Sequence, residues 1–276
     1  MPVCNGEKFV QKAIQSILNQ TFFDFEFIII DDGSTDSTLE IIKSFKDKRI
    51  RLIINQKNLG IMKTLNEGLD LAQADLVARM DADDISLKNR LEIQHNYMLK
   101  YPKIAACGSS SFTIDENGKI KKINIAKIGW LLRNSFWKPG VLTHPAVILR
   151  KSLFGKYNSF VAEDYPMWLK LGKRNQLANV GKILFKYRVH NKNITFTKKD
   201  KSRHSCYKNF IRFFNIADLS YEDYMAVRGI DFNLSPSNVW RKRFLIRKNV
   251  PYPIILTMFD QLVYFIKYYF QKLKQA

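Results

Sequence analysis

The chain reads as an α/β protein: a doubly wound, mostly parallel, Rossmann-like sheet followed by a basic helical extension. Three observations lead there. Short strands and helical stretches alternate through the first hundred residues. The strands, such as Phe27-Ile28-Ile29-Ile30, are continuous apolar runs, as in parallel strands buried on both faces. Positive charge is concentrated late in the chain: residues 1–150 hold 21 Lys+Arg against 17 Asp+Glu, a net +4, and residues 151–276 hold 24 against 8, a net +16.

These numbers also bound the function. A length of 276 residues suits one large domain or a domain with an appendage, and 46% apolar residues can bury a core. A basic tail on a near-neutral body suits an anionic surface, either nucleic acid or lipid headgroups. Cys4, Cys107 and Cys206 lack metal-like spacing and make no disulfide framework. That fits a reducing, cytoplasmic compartment. Met1–Gly6 has neither a basic nor an apolar leader, so no secretory signal is expected.

Each element follows from its residues. Val10, Ala13, Ile14, Ile17 and Leu18 recur at helical spacing, with Asn5 as the expected cap and Glu7 at the positive end of the dipole. A strand over 25–30 ends at Asp31-Asp32-Gly33-Ser34-Thr35-Asp36, a turn into the next helix. A strand over 51–54 leads through Asn58-Leu59-Gly60 to a helix over about 62–73. A strand over 75–80 then ends in Asp81-Ala82-Asp83-Asp84. A helix over about 87–100, a strand over 104–108, a hairpin over 114–125 and a strand over 142–149 follow. A helix starts near Glu163, and two short strands cover 177–180 and 183–187. The expected domains are 1–190 and a basic, aromatic helical extension, 191–276.

The acidic stretch after residue 80 is the centre of the reading. Three carboxylates within four residues repel one another, which calls for a positive partner. A hard divalent cation is the natural one, since Mg²⁺ takes carboxylate oxygens and shares its shell with substrate phosphates. A solvated turn with Asp84 or Ser86 as a helix cap is the structural alternative. Ligands of such sheets sit outside the carboxyl ends of the strands, so both acidic clusters should face one crevice.

Several motifs occur in order: Pro2-Val3-Cys4-Asn5-Gly6-Glu7, Ser16–Thr21, Asp31–Asp36 and Asn58–Gly60 with Asn66. Arg79–Asp84 with Arg90-Leu91 and Gln94 comes next, then His144-Pro145-Ala146-Val147 and Ala162-Glu163-Asp164-Tyr165 with Trp168. Together they resemble the family 2 glycosyltransferases of the GT-A fold, over roughly residues 1–190. The resemblance implies an inverting transferase that uses a nucleotide-diphosphate sugar and Mg²⁺ or Mn²⁺. It implies a donor-nucleotide site of Pro2, Cys4, Asn5, Glu7, Asp31, Lys63, Arg79 and Asp81, with Asp31 on the base and Asp81 on the ribose. Asp83 and His190 would serve the metal, Asp164 would be the general base, and His144, Glu163 and Trp168 would lie on the acceptor side. Asp32 and Asp36 can instead cap the following helix, and Glu163 can merely orient a helix start. The acceptor is expected to be a glycan or a lipid-linked glycan.

Two departures stand out. The family's first, central strand is nearly absent before Pro2, and Cys4 stands where an aromatic ring usually stacks on the base. The rival readings are a nucleotidyltransferase and a basic nucleic-acid-binding protein with a degenerate transferase domain. The first lacks a Gly-rich phosphate loop, and the second has no recognisable DNA-binding motif, so no nucleic acid is expected. Residues 252–269 form a short, interrupted apolar run with basic flanks. That pattern predicts peripheral binding to an anionic membrane surface on the inner face of the cell membrane, rather than a span.

Overall fold

The computed structural model describes residues 1–159, 161–191, 193, 199–216 and 219–227. It is a mixed α/β structure with a parallel sheet, in two compact units, Met1–Lys199 and Asp200–Ala276. The membrane-binding run expected at 252–269 lies outside the described residues. Among those residues no helix is long and apolar enough to cross a membrane.

In the first unit β1 (Pro2–Val3), β2 (Phe27–Asp31) and β3 (Ile50–Ile54) form a parallel sheet in that order. The short β1 is an end strand of this sheet, paired with β2 alone among the described strands rather than central, and its ladder runs past its own two residues. The Met1 amino group donates to Ile28 O at 2.8 Å, Ile30 N to Met1 O at 3.0 Å and Asp32 N to Val3 O at 2.8 Å. Burial, then the nearby Arg79 charge, pulls the Met1 amine down to about 5.

Helix α1 (Val10–Leu18) buries Val10, Ala13, Ile14 and Ile17, one face of a 3.6-residue period, against Phe27, Ile29 and Ile42. Asn5 is not its cap. Asn5 has φ +51°, and its carboxamide oxygen accepts from Thr35 N at 2.8 Å. Gly6 follows because a Cβ there would lie 2.8 Å from Val3 Cγ2. Helices α2 (Thr38–Ser44) and α3 (Ile61–Leu71) complete this half.

The second sheet is mixed. Strands β4 (Leu76–Ala78), β5 (Ile85–Ser86), β6 (Ala106–Ile114), β7 (Ile120–Asn124), β8 (Ile148–Arg150) and β9 (Leu177–Arg188) follow the order β4-β8-β6-β9-β5, with β7 on β6. Only β6 and β9 pair in parallel here; the other described pairs are antiparallel. The expected pair of strands at 177–187 is one strand, whose irregularity appears as register shifts opposite Ser109–Ser111. The expected strand at 142–149 is shorter: His144–Ala146 is a 3₁₀ turn and only Ile148–Arg150 is strand. Pro145 has no N–H to give a ladder, which explains the turn.

Helix α4 (Arg90–Lys100) ties the sheets to the acidic loop. Arg90 is fully buried. Its Nη2 donates to Arg79 O at 2.7 Å and Val147 O at 3.1 Å, its Nη1 to Ser86 Oγ at 2.9 Å, and its Nε to Gln94 at 3.0 Å. Gln94 in turn donates to Cys107 O and Ala146 O, both at 2.9 Å. The Arg90 guanidinium lies 4.9 Å from the Phe185 ring centroid. Burial lowers its pKa to about 9, which still leaves it charged at neutral pH. Short helices α5 (Gly129–Arg133) and α6 (Lys151–Phe154) and the longer α7 (Tyr165–Lys173) complete the unit.

In the second unit, α8 (Lys199–Phe214) packs against α9 (Tyr221–Val227) through Phe210 and Tyr224, with ring centroids 5.2 Å apart. Phe210 is fully buried.

Arg90→Met leaves the Arg79 carbonyl buried without its guanidinium donor and takes one of two donors from the Val147 carbonyl. We expect a loss of roughly 2–5 kcal/mol of unfolding free energy in urea titrations. Exposed Lys88→Met should change it by less than ~0.5 kcal/mol.

Candidate active site

The acidic loop follows β4 and is clamped from both sides. Arg79 is buried, and its guanidinium grips Asp81 with two contacts of 2.7 Å. Arg188, at the end of β9, donates its backbone N–H to Asp84 Oδ1 at 2.7 Å and its Nε to Asp83 O at 2.7 Å. Its Nη1 reaches Asp115 O and Glu116 O, and its guanidinium lies 4.6 Å from the Phe9 ring centroid. Reading the sequence singled out neither Arg188 nor Phe9. The only available signal was a lone arginine at the end of an apolar strand.

Oxygens of Asp81, Asp83 and Asp84 lie within 4.8 Å of one another. Asp84 is buried and is not a helix cap; Asn89 precedes α4. Burial, then the charges of Asp83 and Asp81, pushes the Asp84 carboxyl well up. Asp83 is raised by burial and Asp81, against the pull of His190. His190 Nε2 lies 2.9 Å from Asp83 Oδ2, and Asn193 donates to the same oxygen at 2.9 Å. Asp84 Oδ2 is buried with no hydrogen-bond partner among the described residues. Of the three, Arg79 ion-pairs directly with Asp81 alone, so two carboxylates and an orphaned oxygen remain. That is a hard oxygen set, and it fits a divalent cation.

Alongside runs the loop between α1 and β1. Asn5 N donates to Ser34 Oγ at 2.9 Å, and Ser34 Oγ donates to Asp31. Glu7 N donates to Asp36 Oδ2 at 3.2 Å, and Ser37 N to Glu7 Oε2 at 3.2 Å. The side chains of Asn5 and Glu7 thus brace the two loops. Gly6 lies close to Ala82, which brings these loops to the acidic stretch. Pro2 sits in β1, and Cys4 is exposed, with Asn58 Nδ2 3.2 Å from its sulfur. Lys63 is exposed on the first turn of α3.

Asp32 and Asp36 are structural. Burial pushes Asp32 up, but hydrogen bonds from Leu59 N, Asn55 and Gly60 N outweigh it and hold the carboxyl low. Asp32 therefore shapes the entry to α3 rather than capping α2. Asp36 accepts from Thr38 N at 3.0 Å and opens α2.

A second cluster stands at the start of α7. His144 Nδ1 lies 3.3 Å from Glu163 Oε1, and its Nε2 lies 2.8 Å from the Tyr157 hydroxyl. Trp168 Nε1 donates to Asp164 Oδ2 at 2.8 Å. Trp168 is fully buried, so it braces Asp164 from behind rather than meeting an acceptor. Burial pushes Glu163 up, but the His144 hydrogen bond and charge, then Arg79, bring it down to about 2. Asp164 goes the other way, raised by burial and by Glu163 against the pull of His144. Neighbouring carboxylates split in this manner can divide acid and base roles. Arg79 acts on Asp81, Tyr157 and Glu163 together, so it links this cluster to the acidic loop.

Residues 1–157 match the family model described as glycosyl transferase family 2. The chain belongs to that family. Among its relatives, an uncharacterized glycosyltransferase of Haemophilus influenzae is 34% identical over 67% of this chain and 63% of its own length. The chain thus spans just under two thirds of that relative. The Escherichia coli UDP-Glc:alpha-D-GlcNAc-diphosphoundecaprenol beta-1,3-glucosyltransferase WfgD is 34% identical over 72% of this chain and 79% of its own. Among solved structures, S. aureus TarS 1–349 in complex with UDP-GlcNAc aligns with a TM-score of 0.65 at 18% identity, covering 92% of this chain and 81% of that one. Mannosyltransferase PcManGT from Pyrobaculum calidifontis, with GDP-Man and Mn²⁺, gives 0.59 at 14% identity, covering 88% and 72%. These likenesses show the GT-A fold of this family 2 chain.

The low Glu163 carboxyl predicts an acid-stability profile. A folded value near 2, below the usual 4.5, adds stability that is present above pH 4.5 and lost as the pH falls through 2. Glu163→Gln should flatten that acid limb in melting curves, and Glu92→Gln, far from this pair in sequence and exposed, should not.

Proposed function

We propose that this family 2 chain transfers a sugar from a nucleotide-diphosphate sugar to a hydroxyl of a glycan or lipid-linked acceptor, with inversion at the anomeric carbon. The observation that carries the reading is the pairing of two carboxylate clusters, joined by Arg79: one fit for a cation, the other holding a raised carboxylate. A divalent cation, Mg²⁺ or Mn²⁺, would be held by Asp83 and Asp84 with Asp81 and His190 alongside, and when bound would neutralise the leaving diphosphate. The solved complex of PcManGT with GDP-Man and Mn²⁺ supports this.

The chain's own residues do the rest. Asp31, buried at the end of β2, would receive the base, and Asp81 the ribose. Pro2 and Cys4 would line the nucleotide, with Asn5 and Glu7 fixing the shape of their loop. Lys63 would supply positive charge from α3. Inversion needs a carboxylate opposite the leaving group to take the acceptor proton as the anomeric carbon turns oxocarbenium-like. We assign that role to Asp164, held by the Trp168 N–H. His144 and Glu163 would border the acceptor. The name of WfgD carries a diphosphoundecaprenol acceptor, which supports a lipid-linked one here. Such an acceptor would place the protein peripherally at the cytoplasmic face of the membrane.

The direct test is a panel of nucleotide sugars, assayed for hydrolysis and transfer with and without EDTA, with the product anomer read by NMR. Asp83→Asn should weaken Mn²⁺-dependent donor binding at least ~10-fold in calorimetry, since it removes a charged ligand. Unchanged affinity would remove Asp83 from the cation site. Asp164→Asn should lower turnover by ~10²–10⁴ and retain donor binding. Near-normal turnover at saturating donor and acceptor would place the base elsewhere.

A further inference from the structure

We propose that the segment from β7 through α5 is a membrane-docking face of the catalytic unit, seated on an anionic lipid surface. Ile123, Ile125, Ile128, Trp130 and Leu131 are each about half exposed or more, Ile125 reaching 72%. Exposed apolar residues scattered singly are ordinary, but five within nine positions form a patch that asks for a partner. The helix α5 sorts its own side chains, with Leu132 buried while Trp130 and Leu131 face out.

This face is held, not loose. Ala126 N donates to Ser110 Oγ at 3.0 Å, and Asn179 Nδ2 donates to Lys127 O at 2.9 Å, which fastens the segment to β6 and β9. Residues 124–127, Ser135 and residues 138–141 also line one cleft of about 220 Å³. The apolar side chains are therefore presented by a built support.

Charge names the partner. Lys119, Lys121, Lys122, Lys127, Arg133 and Lys138 lie along this stretch, and no Asp or Glu occurs between Glu116 and Glu163. Lys121 meets Asp115 at 3.0 Å, so part of its charge is already answered. A second copy docked symmetrically would set these cations against their own images. Nucleic acid would ask for stacking aromatics, and this face offers mainly isoleucine and leucine. Aliphatic residues and a tryptophan among cations, with no acids, match an interfacial site on anionic lipid. This inference rests on no catalytic assignment. It also differs from the attachment expected of residues 252–269, because it assigns lipid contact to the catalytic unit.

The test uses the full chain, so any contribution of residues 252–269 is the same in every variant. Flotation is read with vesicles of phosphatidylcholine plus phosphatidylglycerol, and with phosphatidylcholine alone. We expect the wild type to float with the anionic vesicles, less so at high salt and with the neutral ones. The triple variant Ile125→Glu, Trp130→Glu, Leu131→Glu should partition at least ~10-fold more weakly. Quenching by lipids with brominated acyl chains supplies a gentler readout: tryptophan quenching should drop in Trp130→Phe. Wild type that does not float, equal binding to neutral vesicles, a triple variant that floats like wild type, or quenching unchanged in Trp130→Phe would each overturn the proposal. A triple variant that floats normally but turns a dimer into a monomer in sedimentation would assign the face to a second copy instead. Sugar-nucleotide hydrolysis in vesicle-free solution tests the transfer reading separately, so the two can fail independently.

Discussion

The Arg90 guanidinium is the constraint on which the site depends. One buried cation joins the carbonyls of Arg79 and Val147, which belong to the ends of two different strands. Arg79 N in turn donates to Val147 O at 2.9 Å. The chain therefore leaves β4 at a fixed place and direction, just before the three carboxylates. Burying a charge so deeply is costly unless every donor finds an acceptor. Here Ser86, Gln94 and two carbonyls accept, and the Phe185 ring lies alongside. Two of the four acceptors are backbone oxygens, which ties the site's geometry to the sheets.

The same logic governs the site's charges. Asp81, Asp83, Asp84, Glu163 and Asp164 gather five carboxylates, and Arg79 acts on both groups while contacting only Asp81. Arg188 deepens the point. Its peptide N–H takes Asp84 Oδ1 and its Nε takes the Asp83 carbonyl, shaping the loop while leaving Asp83 Oδ2 and Asp84 Oδ2 free of it.

Much of this was legible in the sequence, for identifiable reasons. The alternation of apolar runs and helical stretches gave the α/β class, and the abrupt end of an apolar run in Asp81–Asp84 marked the carboxylate cluster of the candidate site. Periodicity was weaker where one residue overrides its neighbours. Pro145 turns an apolar run into a 3₁₀ turn, and Asn5, a good cap by type, instead adopts a positive φ and holds Thr35. Strand direction was beyond reach: the run at 76–78 is as apolar as a parallel strand, yet it pairs antiparallel with β8. Arg188 and Phe9 were missed because their meaning lies in contacts over a hundred positions apart, which no local pattern carries.

The turn before the second cluster shows how a strained backbone and a charged site hold each other. Ala162 has φ +52°, a region where a side chain costs roughly 1–2 kcal/mol. No glycine relieves it, so the surroundings must impose it. Three interactions are at hand: Tyr165 N donates to Ala162 O at 3.1 Å, His144 holds Glu163, and Trp168 holds Asp164. Each comes from a well-buried element or its edge, and each acts within three residues of the strained peptide. The two carboxylates are thus fixed in opposite environments by the same contacts that keep the turn in its unfavourable region. Loosening any one of them lets the backbone relax. Because Glu163 and Asp164 are adjacent in the chain, a relaxed turn would move both at once and merge the two environments that set their pKa values apart.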